Sequence, residues 1–591
     1  MEELTVAVGD QQLNEAEKEL LNTAYRRLEI WRNGCQKYHE AAKEARAIYR
    51  LADPRQDLPN TPAEQKTLQL QTLKSTVNNC IADQMDNMPE ATMAPERPGL
   101  EDTAADLTDV VRFILDQNDY EAIHRRRVED FFVTGSSVTQ VCWDEDMDGG
   151  KGDVALIRWP MEAFLWDPFA ETIQSARALM KVSWHPLGWF RDHYPEAGKY
   201  VTGEDQSRHA VGQHDAQLEA GDDDEAQAML VEYWYRTYDA KKNRYSINVA
   251  YMAGGALLDS FEDVYDHGMY PFIVDAMTPI EGLPVGEGLV MELAPMMRYV
   301  NRYAHYIDEN LRMSSKNRAL VRRNANLDVN ALRNWQENII QGDDISPDAV
   351  QWFQSKPLSG MAPQQMLQFQ SDIKQDSGQN QFTRGETAGG VTAASAISAL
   401  QEAGGKITRL RTAVLNQGFK DMVEQVMWLV SQFYGDKKAR MITGRDGKPR
   451  EVDMSAKHLM GDGKASKGKL PAPPYHVQIQ ISRRNPLRVQ AQNELFIQAY
   501  TMAAQAGQQF PLSMLFELLQ VDGKDRIMPV LQSLDQTQAL MQQLTQENEM
   551  LKGQMQSLQQ VISDQGQAIR HGMYAQASAT DQPLPEVDMN S

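Results

Sequence analysis

The chain has 591 residues, of which 42% are hydrophobic and 24% are charged, and its formal net charge is −23. This length exceeds the roughly 250–300 residues at which a single hydrophobic core stops growing, so we expect several domains. The composition excludes a chain that is disordered throughout, and the acidic excess disfavours tight binding to DNA phosphates.

Three further sequence features bear on compartment and cysteine chemistry. No run of about 18 apolar residues is present, and the N-terminal sequence lacks the basic and apolar segments of a signal peptide. We therefore expect a soluble protein made in a cytoplasm, with no membrane partner. Cys35, Cys80 and Cys142 are odd in number and widely separated, which favours buried thiols over disulfides or a zinc site.

The first part of the chain has helical periodicity. Apolar residues three and four apart predict a helix that contains residues 13–35. A second helix is predicted to begin at Thr61, as its N-cap, and to end before Pro89. A third is predicted over residues 101–132.

The pattern then changes to the alternation that is typical of strands. Residues 137–143 and 152–159 flank an acidic, glycine-rich turn and predict a β-hairpin. A second strand pair is predicted over residues 230–238 and 244–252. The polar stretch 203–225 between the two hairpins is predicted to be a solvated loop.

Helical spacing returns over residues 288–313, with Pro295 near the start. A compact mixed segment follows, for which we predict a strand at 318–323, a helix at 329–340 and a strand at 349–353. A shorter helix is predicted over 363–374, and a polar loop over 375–390.

The last third begins with a predicted long helix over 392–434, in which the pair Gly404-Gly405 favours a bend because glycine costs roughly 1 kcal/mol in a helix. A β-rich stretch over 438–481 and helices from Pro486 onward complete the chain. Residues 571–591 are predicted to be disordered.

The final helix carries a heptad pattern over about four heptads. A seam this narrow requires a partner, either another subunit or an earlier helix of the same chain. The residues predicted to make an oligomer contact are Leu534, Met541, Leu544, Leu551, Met555 and Leu558.

Two stretches only partly match known site motifs. Asp144 to Gly149 matches the first half of a calcium loop, but Ala155 stands where a bidentate glutamate belongs, so a hairpin turn is favoured. Gly463 to Lys469 matches a phosphate-binding loop, but Leu470 replaces the required serine or threonine and prolines follow. We predict no catalytic residue, no metal site and no cofactor.

The order of segments and several short stretches resemble the portal proteins of tailed double-stranded DNA bacteriophages. The stretches are residues 132–141, 166–169, 178–184, 270–272 and 286–288, and the resemblance covers about residues 20–530. It implies an α+β, portal-like fold with wing, stem, clip and helical crown, assembled as a ring.

The resemblance also implies a division of the chain. The expected regions are a wing (1–286), a first stem helix (287–314), a clip (315–362), a second stem helix (363–375), a tunnel loop (376–391), a second wing segment (392–485), a crown (486–570) and a tail (571–591).

Members of this family form a twelve-subunit ring at one capsid vertex of the virion, after assembly in the host cytoplasm. The implied partners are other copies of the chain, the DNA that passes through, terminase, the major capsid and scaffolding proteins, and head–tail adaptor or tail proteins.

Within this division, two sets of site residues are expected. Gln379, Gln381, Thr383 and Arg384 would contact DNA in the channel, although an ordinary surface loop is an equally good interpretation. Lys316, Arg318, Arg322 and Arg323 would contact the motor, an adaptor or DNA, with a solvated basic face as the alternative.

Two other functions are compatible with parts of the sequence. A packaging ATPase would require a competent phosphate-binding loop, which residues 463–470 do not supply. A coiled-coil virion scaffold without a channel would explain the heptads, but not the tryptophan- and proline-rich β segments.

Overall fold

The computed structural model describes residues 11–53, 68–203, 226–239, 244–315, 318–334, 336, 338–343, 346, 348–353, 358–379, 405–435, 439–443, 449–455, 458–459, 473–483, 486–505, 512–519 and 524–580. The chain forms two compact units. The first comprises residues 1–444 and 449–483, and the second comprises residues 445–448 and 484–591.

The first unit mixes helices and sheets, which confirms the predicted α+β class. Its helices are α1 (Glu15–Tyr49), α2 (Thr72–Met85), α3 (Glu101–Gln117), α4 (Tyr120–Val133), α5 (Leu187–His193), α6 (Leu289–Ser315), α7 (Val329–Arg333), α8 (Met361–Asp376) and α9 (Lys406–Phe433).

The strands of this unit that the structure describes fall into six sheets. They are β1 (Asn87–Pro95), β2 (Ser136–Asp144), β3 (Asp153–Trp159), β4 (Phe164–Trp166), β5 (Ala178–Pro186), β6 (Gln227–Asp239), β7 (Arg244–Ala253), β8 (Ala256–Phe261), β9 (Phe272–Ala276), β10 (Thr278–Pro279), β11 (Gly286–Glu287), β12 (Arg318–Val321), β13 (Val350–Phe353), β14 (Ala439–Thr443), β15 (Pro449–Asp453) and β16 (Tyr475–Arg483).

The largest sheet has the strand order β4-β5-β6-β7-β8, with all neighbours antiparallel. The pairing of β6 with β7 confirms the second predicted strand pair. Side chains from α1 and the segment before it bond one residue on each edge strand. His39 hydrogen-bonds Phe164 O of β4 (3.0 Å), and Gln11 pairs with the backbone of Leu257 in β8 (2.8 and 3.1 Å). These contacts occupy backbone groups that an open edge strand could otherwise offer to another chain.

The second sheet has the order β3-β2-β9 and contains the first predicted hairpin, with Val138 opposite Trp159 and Asp144 opposite Asp153. A short turn over Met147–Gly150 joins the two strands, which confirms the hairpin interpretation of the acidic stretch. Helix α9 packs on this sheet through a buried face that includes Phe419 and Val426. Each fully buried side chain of this kind contributes roughly 1.5–3 kcal/mol.

One buried ion pair joins four elements of this core. The Arg127 guanidinium of α4 donates to both carboxylate oxygens of Asp275 in β9, at 2.6 and 2.7 Å, and both side chains are essentially inaccessible to solvent. Arg127 also donates to Leu415 O of α9 (2.9 Å), and Ser137 Oγ of β2 donates to the Asp275 carboxylate (2.6 Å). The carboxylate raises the pKa of Arg127 despite burial, so the pair stays charged.

The second unit consists of helices α10 (Pro486–Gln505), α11 (Leu512–Leu518) and α12 (Lys524–Thr580). The predicted return to helices at Pro486 is confirmed. The prediction of disorder from residue 571 is wrong for residues 571–580, which continue α12.

Four predicted helices differ in their bounds from the observed ones. The predicted helix 101–132 is two helices, because Asn118 leaves the helical path to bond the edge of β3 (Val154 O and Leu156 N, both 2.9 Å) and Asp119 takes a left-handed φ of 49°. Helix α2 begins at Thr72, with Leu70 N held by Asn301 Oδ1 (2.9 Å).

The predicted helix over 329–340 ends at Arg333, and Ile339 and Ile340 that follow are exposed and non-helical. In the described part of the predicted helix 392–434, α9 starts directly after Gly405, which is its N-cap. The predicted start at Thr61, the stretch 204–225 and the segments 392–404 and 463–470 lie outside the described residues.

Candidate functional site

Two antiparallel helices and the segment between them form an arm, which we define as residues 289–376. The Phe369 ring of α8 stacks on Tyr299 and Tyr303 of α6, with ring centroids 5.9 and 6.2 Å apart. Further out, Leu358 N donates to Asn310 Oδ1 at 3.3 Å. These two contacts fix the pairing of the helices along the arm.

Burial falls along α6 and marks where the arm leaves the core. The residues of α6 that are buried all lie between Leu289 and Ala304. Beyond that point the side chains are half-buried or exposed, and in α8 only Ile373 is buried. The base of the arm is therefore part of the core of the first unit, and its outer half is accessible in the single chain.

Closely packed glycines hold the base of the arm. Gly135, with φ of +87°, follows α4 and lies against the backbone of Gly286 and Gly288. A Cβ at Gly288 would lie 2.5 Å from Val133 O, so a larger residue would force the two segments apart. The structure thus brings together two of the stretches that carry the family resemblance, residues 132–141 and 286–288.

Ion pairs fix the same base from the other side. Arg298 of α6 donates to Glu44 (2.6 Å) and to Asp53 (2.8 Å), at the C-terminal end of α1. The Arg298 pKa is raised, because its bonds to these carboxylates outweigh desolvation. The glycine contacts and these ion pairs therefore fix the base of the arm to the first unit, and this sets the direction in which the arm extends.

The tip of the arm contains a small two-stranded antiparallel sheet. Strands β12 and β13 pair antiparallel from Arg318 opposite Phe353 to Val321 opposite Val350. The Asp328 carboxylate then caps α7 by accepting from Asn330 N (2.9 Å) and Ala331 N (3.3 Å). The predicted strands at 318–323 and 349–353 are confirmed in these positions.

The basic cluster predicted for contacts with partners lies at this tip. Arg322 and Arg323 are exposed and directly follow β12. Arg318 is the first residue of β12, and its side chain is outside the described part of the structure. Lys316 lies outside the described residues.

Gln379, predicted to contact DNA, lies inside the unit and is only 4% exposed. The chain turns at Gly378, with φ of +87°, directly after α8, and this directs Gln379 toward α2. There its amide donates to Asp83 (2.6 Å) and to Cys80 Sγ (3.7 Å). Its prediction as a channel-facing residue is wrong for this arrangement, and Gln381, Thr383 and Arg384 lie outside the described residues.

Burial raises the pKa values of two groups around Gln379. Desolvation raises the pKa of the Cys80 thiol to about 11, so this cysteine is an unreactive thiol at neutral pH. The pKa of Asp83 is also raised by burial, although the Gln379 hydrogen bond acts in the opposite direction. The contact therefore anchors the end of α8 and is not a reactive centre.

Apolar side chains on the outer half of the arm are exposed. Leu311, Leu320, Met361 and Leu367 have exposed fractions of 60–76%. Several exposed large apolar side chains on one segment are typical of an interaction site.

The heptad residues of α12 are exposed in the same way, all six at 50–64%. They are Leu534, Met541, Leu544, Leu551, Met555 and Leu558. Among the described residues nothing of the chain covers this seam. The alternative of an intramolecular partner receives no support from the second unit.

Within the described ranges, no group of three or more His, Cys, Asp or Glu side chains could hold a metal ion. The helices that are described include none long and apolar enough to cross a bilayer.

A family model described as "Phage P22-like portal protein" matches residues 26–583. The chain belongs to this family. The match includes most of both compact units, the whole arm and all of α12. No curated protein matches the chain.

Family membership confirms the portal resemblance drawn from the sequence, and with it a phage portal role. The sequence reasoning missed the Arg127–Asp275 pair, although an acidic residue within the apolar strand Phe272–Ala276 is a signal that could have found it. It also missed a group of arginines that converge beside α1.

Proposed function

We propose that the chain assembles into a ring of twelve subunits at one vertex of a phage capsid, and that double-stranded DNA is packaged and ejected through the ring. The observation that carries this proposal is the family match over residues 26–583, which covers nearly the whole chain. The arm and the exposed seam of α12 are consistent with it, since both present apolar surface that a neighbouring subunit would cover.

In this proposal the arm provides the stem and the clip. Helices α6 and α8 would be the two stem helices, and the β12–β13 sheet together with α7 would be the clip. The rigid base supports such a role, because glycine packing and the Arg298 ion pairs fix the direction of α6. The exposed apolar residues of the outer half would pack against the arms of adjacent subunits.

The charge of the chain favours a channel through which DNA slides. Each strong phosphate contact would have to be broken at every step of translocation, and such contacts dominate the affinity of proteins for DNA. A chain with a net charge of −23 avoids that obstacle. Gln381, Thr383 and Arg384 remain the proposed polar contacts in the tunnel loop, without Gln379.

The clip would bind terminase during packaging and then head–tail adaptor or tail proteins. The exposure of Arg322 and Arg323, which follow β12, supports such contacts. The wing would contact the major capsid and scaffolding proteins in the virion. We propose no catalytic activity for the chain.

Negative-stain electron microscopy and native mass spectrometry of the purified chain test the assembly. Twelve chains of 66.8 kDa would give a mass of about 0.8 MDa in rings with an open centre. Rods, or closed particles without a hole at any protein concentration, would refute the conduit and favour the scaffold alternative.

A further inference from the structure

A cleft of about 670 Å³ lies between the first turns of α1 and the ends of strands β5, β6 and β7. We call it the arginine cleft and define it by three arginines and three tyrosines. They are Arg27, Arg177, Arg236, Tyr233, Tyr235 and Tyr245. The cleft belongs to the five-stranded sheet and is separate in the chain from the arm.

The three arginines are held in different ways. Arg236 lies over the Tyr270 ring at 4.6 Å and donates to Gln174 and to Gly268 O (3.2 Å), while its Nε is buried without a hydrogen-bond partner. Arg27 donates to the Tyr233 hydroxyl and lies over the ring of the same tyrosine. Arg177 is exposed.

Glu19 of α1 also lines the cleft, but none of these three arginines forms an ion pair with it or with another described carboxylate. Half-buried arginines elsewhere in the unit do so. Arg46 pairs with Glu162, Arg158 with Asp130, and Arg298 with Glu44 and Asp53. A partly desolvated cation without a counter-ion is costly, and burial lowers the pKa of Arg236 accordingly.

The remaining lining favours a peptide over a nucleic acid. Leu20, Ala16 and Ala176 supply apolar surface beside the cations. Sequence-tolerant binding of single strands needs free aromatic faces for the bases. Here Tyr233 and Tyr235 stack on each other, with centroids 5.1 Å apart, and the Tyr245 ring packs against Tyr238.

We propose that the arginine cleft binds an acidic peptide segment of a partner protein, in which carboxylates alternate with apolar side chains. The guanidinium groups would donate to the carboxylates, and the tyrosine and leucine surface would take the apolar side chains. The size of the cleft suits a few side chains rather than a whole domain.

The test uses the full chain and fluorescence anisotropy at low ionic strength. One probe is a fluorescein-labelled peptide that repeats Glu-Glu-Tyr-Leu, and the second has glutamine in place of every glutamate. A labelled oligothymidylate of equal charge is the third. The acidic peptide is expected to bind, and the other two are expected to bind at least about tenfold more weakly.

Arg177→Glu is the principal variant, because this exposed residue has no hydrogen bond or ion pair from its side chain to a described residue. It is expected to weaken the binding of the acidic peptide about tenfold or more, and Arg177→Lys is expected to retain most of it. Arg97→Glu, an exposed arginine outside the cleft, is the matched control and is expected to change the affinity less than about twofold.

Several outcomes would overturn the inference. They are equal affinities for the acidic and glutamine peptides, an unchanged affinity in Arg177→Glu, no binding of the acidic peptide to the unaltered chain, or preferred binding of the oligonucleotide. Electron microscopy of the same variants separates this inference from the proposed function. Rings that persist in Arg177→Glu are expected, whereas rings lost only in that variant would identify a second copy of the chain as the occupant and also overturn it.

Discussion

The Arg127–Asp275 pair permits a sharp test of what holds the first unit together. Asp275→Asn keeps the shape of the side chain and removes its charge. The Arg127 guanidinium would then be buried against a neutral amide, with Leu415 O and the Tyr120 hydroxyl as its remaining partners. An arginine this deeply enclosed cannot recover its hydration without local unfolding.

The magnitude follows from how completely the pair is buried. Removal of one partner of a buried ion pair typically costs about 3–5 kcal/mol, because the other charge is left uncompensated. Asp308→Asn is the matched control, since the Asp308–Arg312 pair has the same chemistry at 2.8 Å but is largely exposed. Such exposed pairs contribute about 0–1 kcal/mol. The two identical substitutions should therefore differ by at least about 2 kcal/mol.

The assay is urea unfolding followed by tryptophan fluorescence at protein concentrations where the chain is monomeric. All ten tryptophans lie between residues 31 and 428, so this signal reports the first unit and not helices α10–α12. The quantity compared is the free energy of unfolding of each variant. A cost below about 1 kcal/mol for Asp275→Asn, or equal costs for both variants, would refute the argument that this pair stabilises the core.

Three further predictions concern pH, close packing and assembly. Burial and Arg127 hold the pKa of His124 at about 3, below its ordinary 6.5, so the folded chain keeps this residue neutral while the unfolded chain gains a proton as the pH falls below about 6.5. The free energy of unfolding therefore decreases as the pH falls. Between pH 7 and 5 the unaltered chain should lose about 2 kcal/mol more of it than His124→Gln, as measured by urea titrations at each pH. Parallel losses in the two proteins would contradict this. Gly418→Ala should destabilise the first unit by more than about 2 kcal/mol, because its Cβ would overlap the buried Asp275 carboxylate. Gly553→Ala, which has nothing near its Cβ, should be neutral or stabilising by up to about 1 kcal/mol. Thermal melts by circular dichroism compare the two variants, and a tolerated Gly418→Ala would be inconsistent with this packing. Leu544→Asp should weaken self-association, as measured by sedimentation velocity, because it places a charge in the exposed heptad seam. Gln546→Asp, on the same exposed helix, should not. Equal behaviour of the two variants would show that the seam is not an oligomer contact.

Local patterns predicted much of the fold. The helix that became α1, both hairpins and the two arm helices each have a strong period of apolar residues, and their observed positions agree within a few residues. Periodicity succeeds there because each element buries one face on a neighbour, and the spacing of the apolar residues within the element identifies that face.

The failures share one cause, which is a tertiary contact that overrides local preference. Asn118 breaks a helix in order to bond β3, and Asn301 holds Leu70 outside α2. Gln379 reads as part of a polar loop, yet the left-handed turn at Gly378 places it against Asp83. None of these partners lies close in the chain, so no window of sequence around the residue contains the reason.

The arginine cleft could not be predicted for the same reason. Arg27 comes from α1, Arg177 directly precedes β5 and Arg236 comes from β6, and their convergence depends on how α1 crosses the sheet. In the sequence each is an ordinary basic residue of an acidic chain. Only the structure shows that three of them meet in one cleft, in which Glu19 is a lining carboxylate but forms no ion pair with them.

The buried contacts that stabilise the first unit and the exposed apolar surfaces of the chain are formed by different residues, and this separation bears on how a portal protein works. Asp275, Gly418 and the Arg298 ion pairs stabilise the folded chain itself, and all are buried or half-buried at or near the base of the arm. The surfaces proposed to meet other chains, the outer arm and the α12 seam, contribute little to the fold of one chain because they are already exposed. Substitutions in the first group should therefore change unfolding without changing the number of subunits, and substitutions in the second should do the reverse. In the proposed assembly, one partner would therefore replace another at the surface of the chain while the support of the arm stays unchanged.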